Sequence, residues 1–103
     1  MEIRKVQNAD GVTIYLEGKF TFSDKDKFQE IAMLCTKEEI VSIMVDCNGL
    51  NYMDSSAIGM FLILQENAAR CGAHVTVINV GKNIRPLFER SALGRMFDVK
   101  YEE

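Results

Sequence analysis

Asp54-Ser55-Ser56 stands directly before the apolar run Ala57-Ile58-Gly59-Met60-Phe61-Leu62-Ile63-Leu64, and the sequence concentrates its chemistry there. Ser and Asp before such a run act as helix caps that satisfy N–H groups orphaned in the first turn. The same place suits a modified serine, because a phosphate would put roughly two negative charges at the positive end of a helix dipole. The spacing admits both readings of Ser55, a cap and a phosphoacceptor.

Other chemistries find less support in the residues. A nucleophilic serine needs the Gly-x-Ser-x-Gly elbow, and neither Ser55 nor Ser56 has glycines at those offsets. The base would have to be His74, the only histidine, which falls at the start of a strand following the helix and so at the opposite end of a sheet from Ser55. Cys35, Cys47 and Cys71 are an odd set without a C-x-x-C spacing, so they read as buried thiols and not as a disulfide framework. His74 follows Cys71 by three residues, but no second pair completes a zinc site. Gly81-Lys82 alone makes no phosphate loop. The expectation is a protein without cofactor, metal or catalytic activity.

The 103 residues are 48% apolar and 26% charged, an ordinary composition for one domain with a packed core. The net charge of −3 is spread among interspersed acids and bases, which gives no basic track for nucleic acid. Met1-Glu2-Ile3-Arg4-Lys5 leads into polar residues, and no apolar run approaches the roughly 18 residues of a membrane span. A soluble, unsecreted cytoplasmic domain with no membrane insertion is expected.

The elements that must position Ser55 follow from periodicity. Val12 to Glu17 alternates as a half-buried strand ending at Gly18, and a strand around Ile3 to Gln7 pairs with it through the Asn8-Ala9-Asp10-Gly11 turn. Ser23 or Asp24 caps a first helix that carries Phe28, Ile31, Ala32 and Cys35 at helical spacing and runs to about Leu34. Ile40-Val41-Ser42-Ile43-Met44-Val45 reads as a central strand buried on both faces, with Asp46 to Asn51 as the loop that leaves it. The second helix starts near Ser55 or Ser56 and closes at Cys71-Gly72. Val75 to Ile78 is the next strand. A short helix with Pro86 in its first turn follows, and Leu93, Met96, Phe97 and Val99 suggest a last strand or docked tail. This order implies an α/β fold in which an N-terminal hairpin joins a mixed, mostly parallel sheet of four to five strands with three or more helices.

The apolar run of the second helix wraps fully around it. With Ile58, Phe61, Leu62 and Gln65 on or near the inner face, Met60, Ile63 and Leu64 fall partly toward solvent or neighbouring elements. Either adjacent helices cover the excess, or it is an exposed patch for a partner.

The stretch Asn51-Tyr52-Met53-Asp54-Ser55-Ser56-Ala57-Ile58-Gly59 resembles the signature of STAS domains, most closely that of bacterial anti-sigma factor antagonists. Leu16-Glu17-Gly18 and Ile84-Arg85-Pro86-Leu87-Phe88 extend the likeness over nearly the whole chain. The resemblance implies the STAS fold and partner switching. Unphosphorylated antagonist binds an anti-sigma factor, a serine kinase of the GHKL type, and phosphorylation reverses the binding until a phosphatase resets the serine. By position Ser55 would be the phosphoacceptor, flanked by Asp54 and Ser56, with Ala57, Met60, Ile63 and Thr21 at the partner surface. Two positions depart from the pattern: Thr21 stands where many members carry a carboxylate, and Ala57 where glycine is common. The fold also admits an accessory subunit that docks on the ATPase of a lipid-transport complex.

Overall fold

Val12, Ile14 and Leu16 are buried while Thr13, Tyr15 and Glu17 between them are not, which is the signature of a strand with one face on a core. In the computed structural model, which describes residues 1–9, 11–37 and 40–102 without the side chains of 34–37, these residues lie in β2 (Gly11–Phe20). β1 (Glu2–Gln7) pairs antiparallel with β2, Ile3 opposite Leu16 and Val6 opposite Thr13. A 3-10 turn (Phe22–Asp24) leads into α1 (Lys25–Lys37). Then come β3 (Ser42–Met53), α2 (Ser55–Arg70), β4 (His74–Val80), α3 (Arg85–Arg90), α4 (Leu93–Met96) and β5 (Asp98–Tyr101). Asp10 of the expected turn, and the side chains of Leu34 and Cys35 in the first helix, lie outside the described residues.

The strands stand side by side in chain order, β1-β2-β3-β4-β5, and every pairing after the hairpin is parallel. The sheet is therefore mixed and mostly parallel, as expected, and the anticipated tail is both a helical turn and a strand. A chain that steps steadily in one direction through right-handed crossovers lays its helices on a single face. Burial agrees with this one-sided arrangement. In β3, Ile43, Val45 and Cys47 are fully buried, whereas Ser42 and Met44 are exposed. The expectation of a strand buried on both faces is corrected accordingly.

β3 also runs on through residues 46–51, which the sequence assigned to a loop. The reason is its neighbour: β2 continues past Gly18 (φ 100°, a conformation that favours glycine) and pairs Lys19 with Tyr52 and Phe20 with Met53. β4 leaves earlier, after Ile78 pairs with Asp46. Its next residue, Asn79, has φ 58° and donates from its side-chain amide to Asp46 Oδ1 at 3.2 Å.

The helices seal the covered face with aromatic rings. Phe61 of α2 lies 5.7 to 5.9 Å, centroid to centroid, from Phe20, Phe28, Phe88 and Phe97, so α2 is held from β2, α1, α3 and the segment after α4 together. Such edge and tilted contacts add to the burial of each ring. Among the described residues no helix is long and apolar enough to cross a membrane.

Candidate functional site

Asp54 caps α2 with an extended backbone, and its Oδ1 accepts from the Ala57 N–H at 3.2 Å. Its other carboxylate oxygen accepts from the Phe22 N–H at 3.3 Å. Its own N–H donates to the Phe20 carbonyl at 3.1 Å. These bonds fix the start of α2 against the end of β2 and the turn that follows. Ser55 is the first residue of α2 and is exposed; Ser56 is half-buried. Ser55 thus stands where the first-turn N–H groups have no intrahelical acceptor and the helix dipole is positive.

Thr21 follows Phe20 and so borders the same end of the sheet, half-buried, with its Oγ1 2.9 Å from Ser23 Oγ. The nearby acid, Asp24, is not offered to Ser55 in Thr21's place. It is only 8% exposed, with Oδ2 accepting from the Thr21 N–H at 2.9 Å and Oδ1 3.2 Å from the Met1 amine. The structure therefore brings Thr21, Asp54, Ser55 and Ser56 together at the carboxyl ends of β2 and β3.

Two residues expected at the surface point inward. Ala57 and Met60 are 0% and 4% exposed, and Leu64 is also buried. Ala57, Met60, Phe61, Leu64 and Ala68 recur at helical spacing and form the face that α2 lays on the sheet. Ala57 and Met60 are corrected from partner-surface residues to core. Ile63 does reach the surface, 40% exposed, on a stripe with Ser55 and Gly59. Half-buried Ile58 and Leu62 border that stripe.

Periodicity missed Phe22. It is 63% exposed, more than any other large apolar side chain among the described residues, and the Lys25 ammonium lies 5.6 Å from its ring. The signal was available as an aromatic residue just after a strand end, yet its link to Asp54 spans 32 positions and cannot be seen in local pattern. Tyr52, two residues before Asp54, is also exposed, at 49%.

Other candidate chemistry lies elsewhere. His74 pairs with Ser42 at the start of β3, so it and Ser55 are at opposite ends of the sheet and cannot form a nucleophile and base. Gly81 and Lys82 line a cleft of about 370 Å³ with Asn48, Leu50, Asn51 and Glu102, where β3 and β4 part. Burial, with the Asp46 carboxylate adding to it, pushes the Cys47 thiol far above its ordinary range.

Comparison with known proteins gives the family. Residues 1–103 match the STAS domain. The STAS-domain containing protein PA14_20770 of Pseudomonas aeruginosa is 28% identical over 105 residues, covering 96% of this chain and 99% of the relative. Among solved structures, the anti-sigma factor antagonist SpoIIAA in its unphosphorylated form superposes with a TM-score of 0.84 at 18% identity, over 99% of this chain and 89% of that one. The Bacillus SpoIIAA in its phosphorylated form gives 0.76 at 17% identity, over 99% and 92%. A sulfate transporter family protein from Wolinella succinogenes gives 0.75 at 17% identity, over 93% and 80%. The fold is thus shared with antagonists and with a transporter protein, and the match along the whole sequence assigns it: the chain belongs to the STAS domain family.

Proposed function

We propose that this protein is an anti-sigma factor antagonist that works by phosphorylation-controlled partner switching. With Ser55 unmodified it binds an anti-sigma factor that is also a serine kinase of the GHKL type and so frees a sigma factor. Phosphorylation of Ser55 by that kinase ends the binding, and a phosphatase restores it. The observation that carries this reading is the exposed Ser55 at the capped N-terminus of α2, beside the exposed Phe22 and the Ile63 stripe. A phosphate there would be held by first-turn N–H groups, so the fold would tolerate it, while a partner covering Ser55 would meet a buried, unmatched charge.

The test incubates wild type, Ser55→Ala and Ser55→Asp with the purified anti-sigma kinases of the source organism and ATP, reads intact mass, and titrates each product against the kinase. Wild type should gain one phosphate, at Ser55, and Ser55→Ala none. Ser55→Asp should bind about thirtyfold more weakly, since a lost contact in a desolvated interface costs about 2 kcal/mol. Equal binding by Ser55→Asp would leave Ser55 a cap and nothing more. The STAS fold also admits a second reading, an accessory subunit docked on the ATPase of a lipid-transport complex. That reading predicts no phosphate transfer and binding to the ATPase instead.

A further inference from the structure

β3 and β4 run side by side until Ile78 pairs with Asp46, and then they part. β3 continues beside β2 to Met53, while β4 ends at Val80 and the chain turns through Gly81, Lys82 and Asn83 toward α3. Between them lies the cleft of about 370 Å³, at the carboxyl ends of the two strands. Open α/β sheets take up small ligands in crevices at that end, and the volume lies in the range of ligand clefts, roughly 300–1,000 Å³.

A single oxygen holds both walls of this cleft. Asp46 Oδ1 accepts from the Asn48 N–H at 2.8 Å on the β3 side and from the Asn79 side-chain amide at 3.2 Å on the β4 side. Asn79 keeps a φ of 58° there, a backbone conformation that costs energy for a residue with a Cβ. The cleft is thus formed before any ligand enters. Its lining, by contrast, is unpartnered: among the described residues the side chains of Asn48, Asn51, Lys82, Asn83 and Glu102 make no hydrogen bond or ion pair within the protein. Lys82 and Glu102 therefore bring opposite charges to one cleft without pairing with each other. The Glu102 carboxylate lies over Gly81, 3.0 Å from the point where a Cβ would stand.

That arrangement selects among ligands by charge. A bare anion would meet Glu102, a bare cation would meet Lys82, and a neutral polyol would leave both charges without a counterpart. A molecule that carries a carboxylate and an ammonium satisfies both, and the three carboxamides can donate to the first and accept from the second. We propose that the cleft binds a small zwitterion of the free amino acid class, with its carboxylate at Lys82 and its ammonium at Glu102. This site does not depend on the reading of Ser55.

The test titrates the isotope-labelled full chain at neutral pH with each proteinogenic amino acid, up to about 10 mM, and with glucose and inorganic phosphate, following backbone amide resonances. At least one amino acid should shift the amides of Asn48, Asn51, Lys82 and Asn83 saturably, while glucose and phosphate leave them in place. Lys82→Gln and Glu102→Gln should each weaken that binding about tenfold or more, as losing a hydrogen bond between charged groups does. Arg90→Gln and Glu30→Gln, which remove exposed charges outside the cleft, should leave it unchanged. The methyl ester and the N-acetyl form of the same amino acid each lack one of the two charges and should lose affinity by a similar factor. These capped forms are measured on wild type, so they decide the matter even where a variant is unstable. The proposal is overturned if no amino acid shifts these amides, or if glucose or phosphate shifts them as strongly as the best amino acid. Binding by the two cleft variants, or of the capped forms, within about threefold of the unaltered pair overturns it as well.

Discussion

Asp54 and Phe22, 32 positions apart, are joined by a hydrogen bond of 3.3 Å from the Phe22 N–H to Asp54 Oδ2, while Asp54 Oδ1 holds the Ala57 N–H at 3.2 Å. One carboxylate therefore fastens the turn after β2 to the first turn of the helix that presents Ser55. The two oxygens divide the work, so removing the side chain releases both segments at once.

Asp54→Ala should lower stability by about 1–2 kcal/mol, the usual range for losing a cap together with a second N–H acceptor. Asp54→Asn, whose single side-chain oxygen can still accept for the cap, should lose less than Asp54→Ala. Urea denaturation of the three proteins checks the order, and amide exchange should show faster opening at both Phe22 and Ala57 in Asp54→Ala. Exchange that quickens at Ala57 alone would mean that the contact to Phe22 adds nothing.

Met60 and Ile63 should respond oppositely to the same substitution. Met60 is buried on the sheet-facing side, so Met60→Lys places an unpaired charge in the core and should cost about 3 kcal/mol or more. Ile63→Lys changes a side chain that is 40% exposed and should shift stability by no more than about 0.5 kcal/mol. It should nevertheless weaken partner binding by about 1 kcal/mol or more. Thermal melts and one titration decide this, and an unfolded Ile63→Lys would show that the stripe is part of the core.

Cys47 should resist alkylation in the folded protein. Burial first, and the neighbouring Asp46 charge second, push its thiol far above the ordinary value of 9.0, so almost no thiolate forms at neutral pH. Iodoacetamide should label the exposed Cys71 and spare Cys47 until denaturant is added, as peptide mapping will show. The sign of the pH effect follows. Below about pH 9 the thiol is neutral in both folded and unfolded chains and contributes nothing, and above it only the unfolded chain ionises, so stability falls as pH rises. Native labelling of Cys47 as fast as Cys71 would contradict its burial.

Much of the fold was legible because its signals are local. Apolar alternation in Val12 to Leu16 gave a half-buried strand, the Asp54-Ser55 step gave a helix start with Asp54 as the observed cap, and Pro86 fell in the first turn of α3. The order of strands and helices implied the mixed sheet, and the stretch Asn51 to Gly59 pointed to the family.

What lay beyond the sequence concerns segments that meet only in three dimensions. A run that is apolar all around a helix cannot say which side faces inward, and the sheet together with Phe20, Phe28, Phe88 and Phe97 chose the face carrying Met60 and Phe61 over the one carrying Ile63. The length of β3 was decided by β2 running beside it to Phe20, since a strand persists only while a neighbour takes its hydrogen bonds. Exposure of Met44 followed from crossovers that put the helices on one face. The engagement of Asp24 with Thr21 and Met1, and of Asp54 with Phe22, depends on side chains reaching across segments, which periodicity along a single chain does not encode.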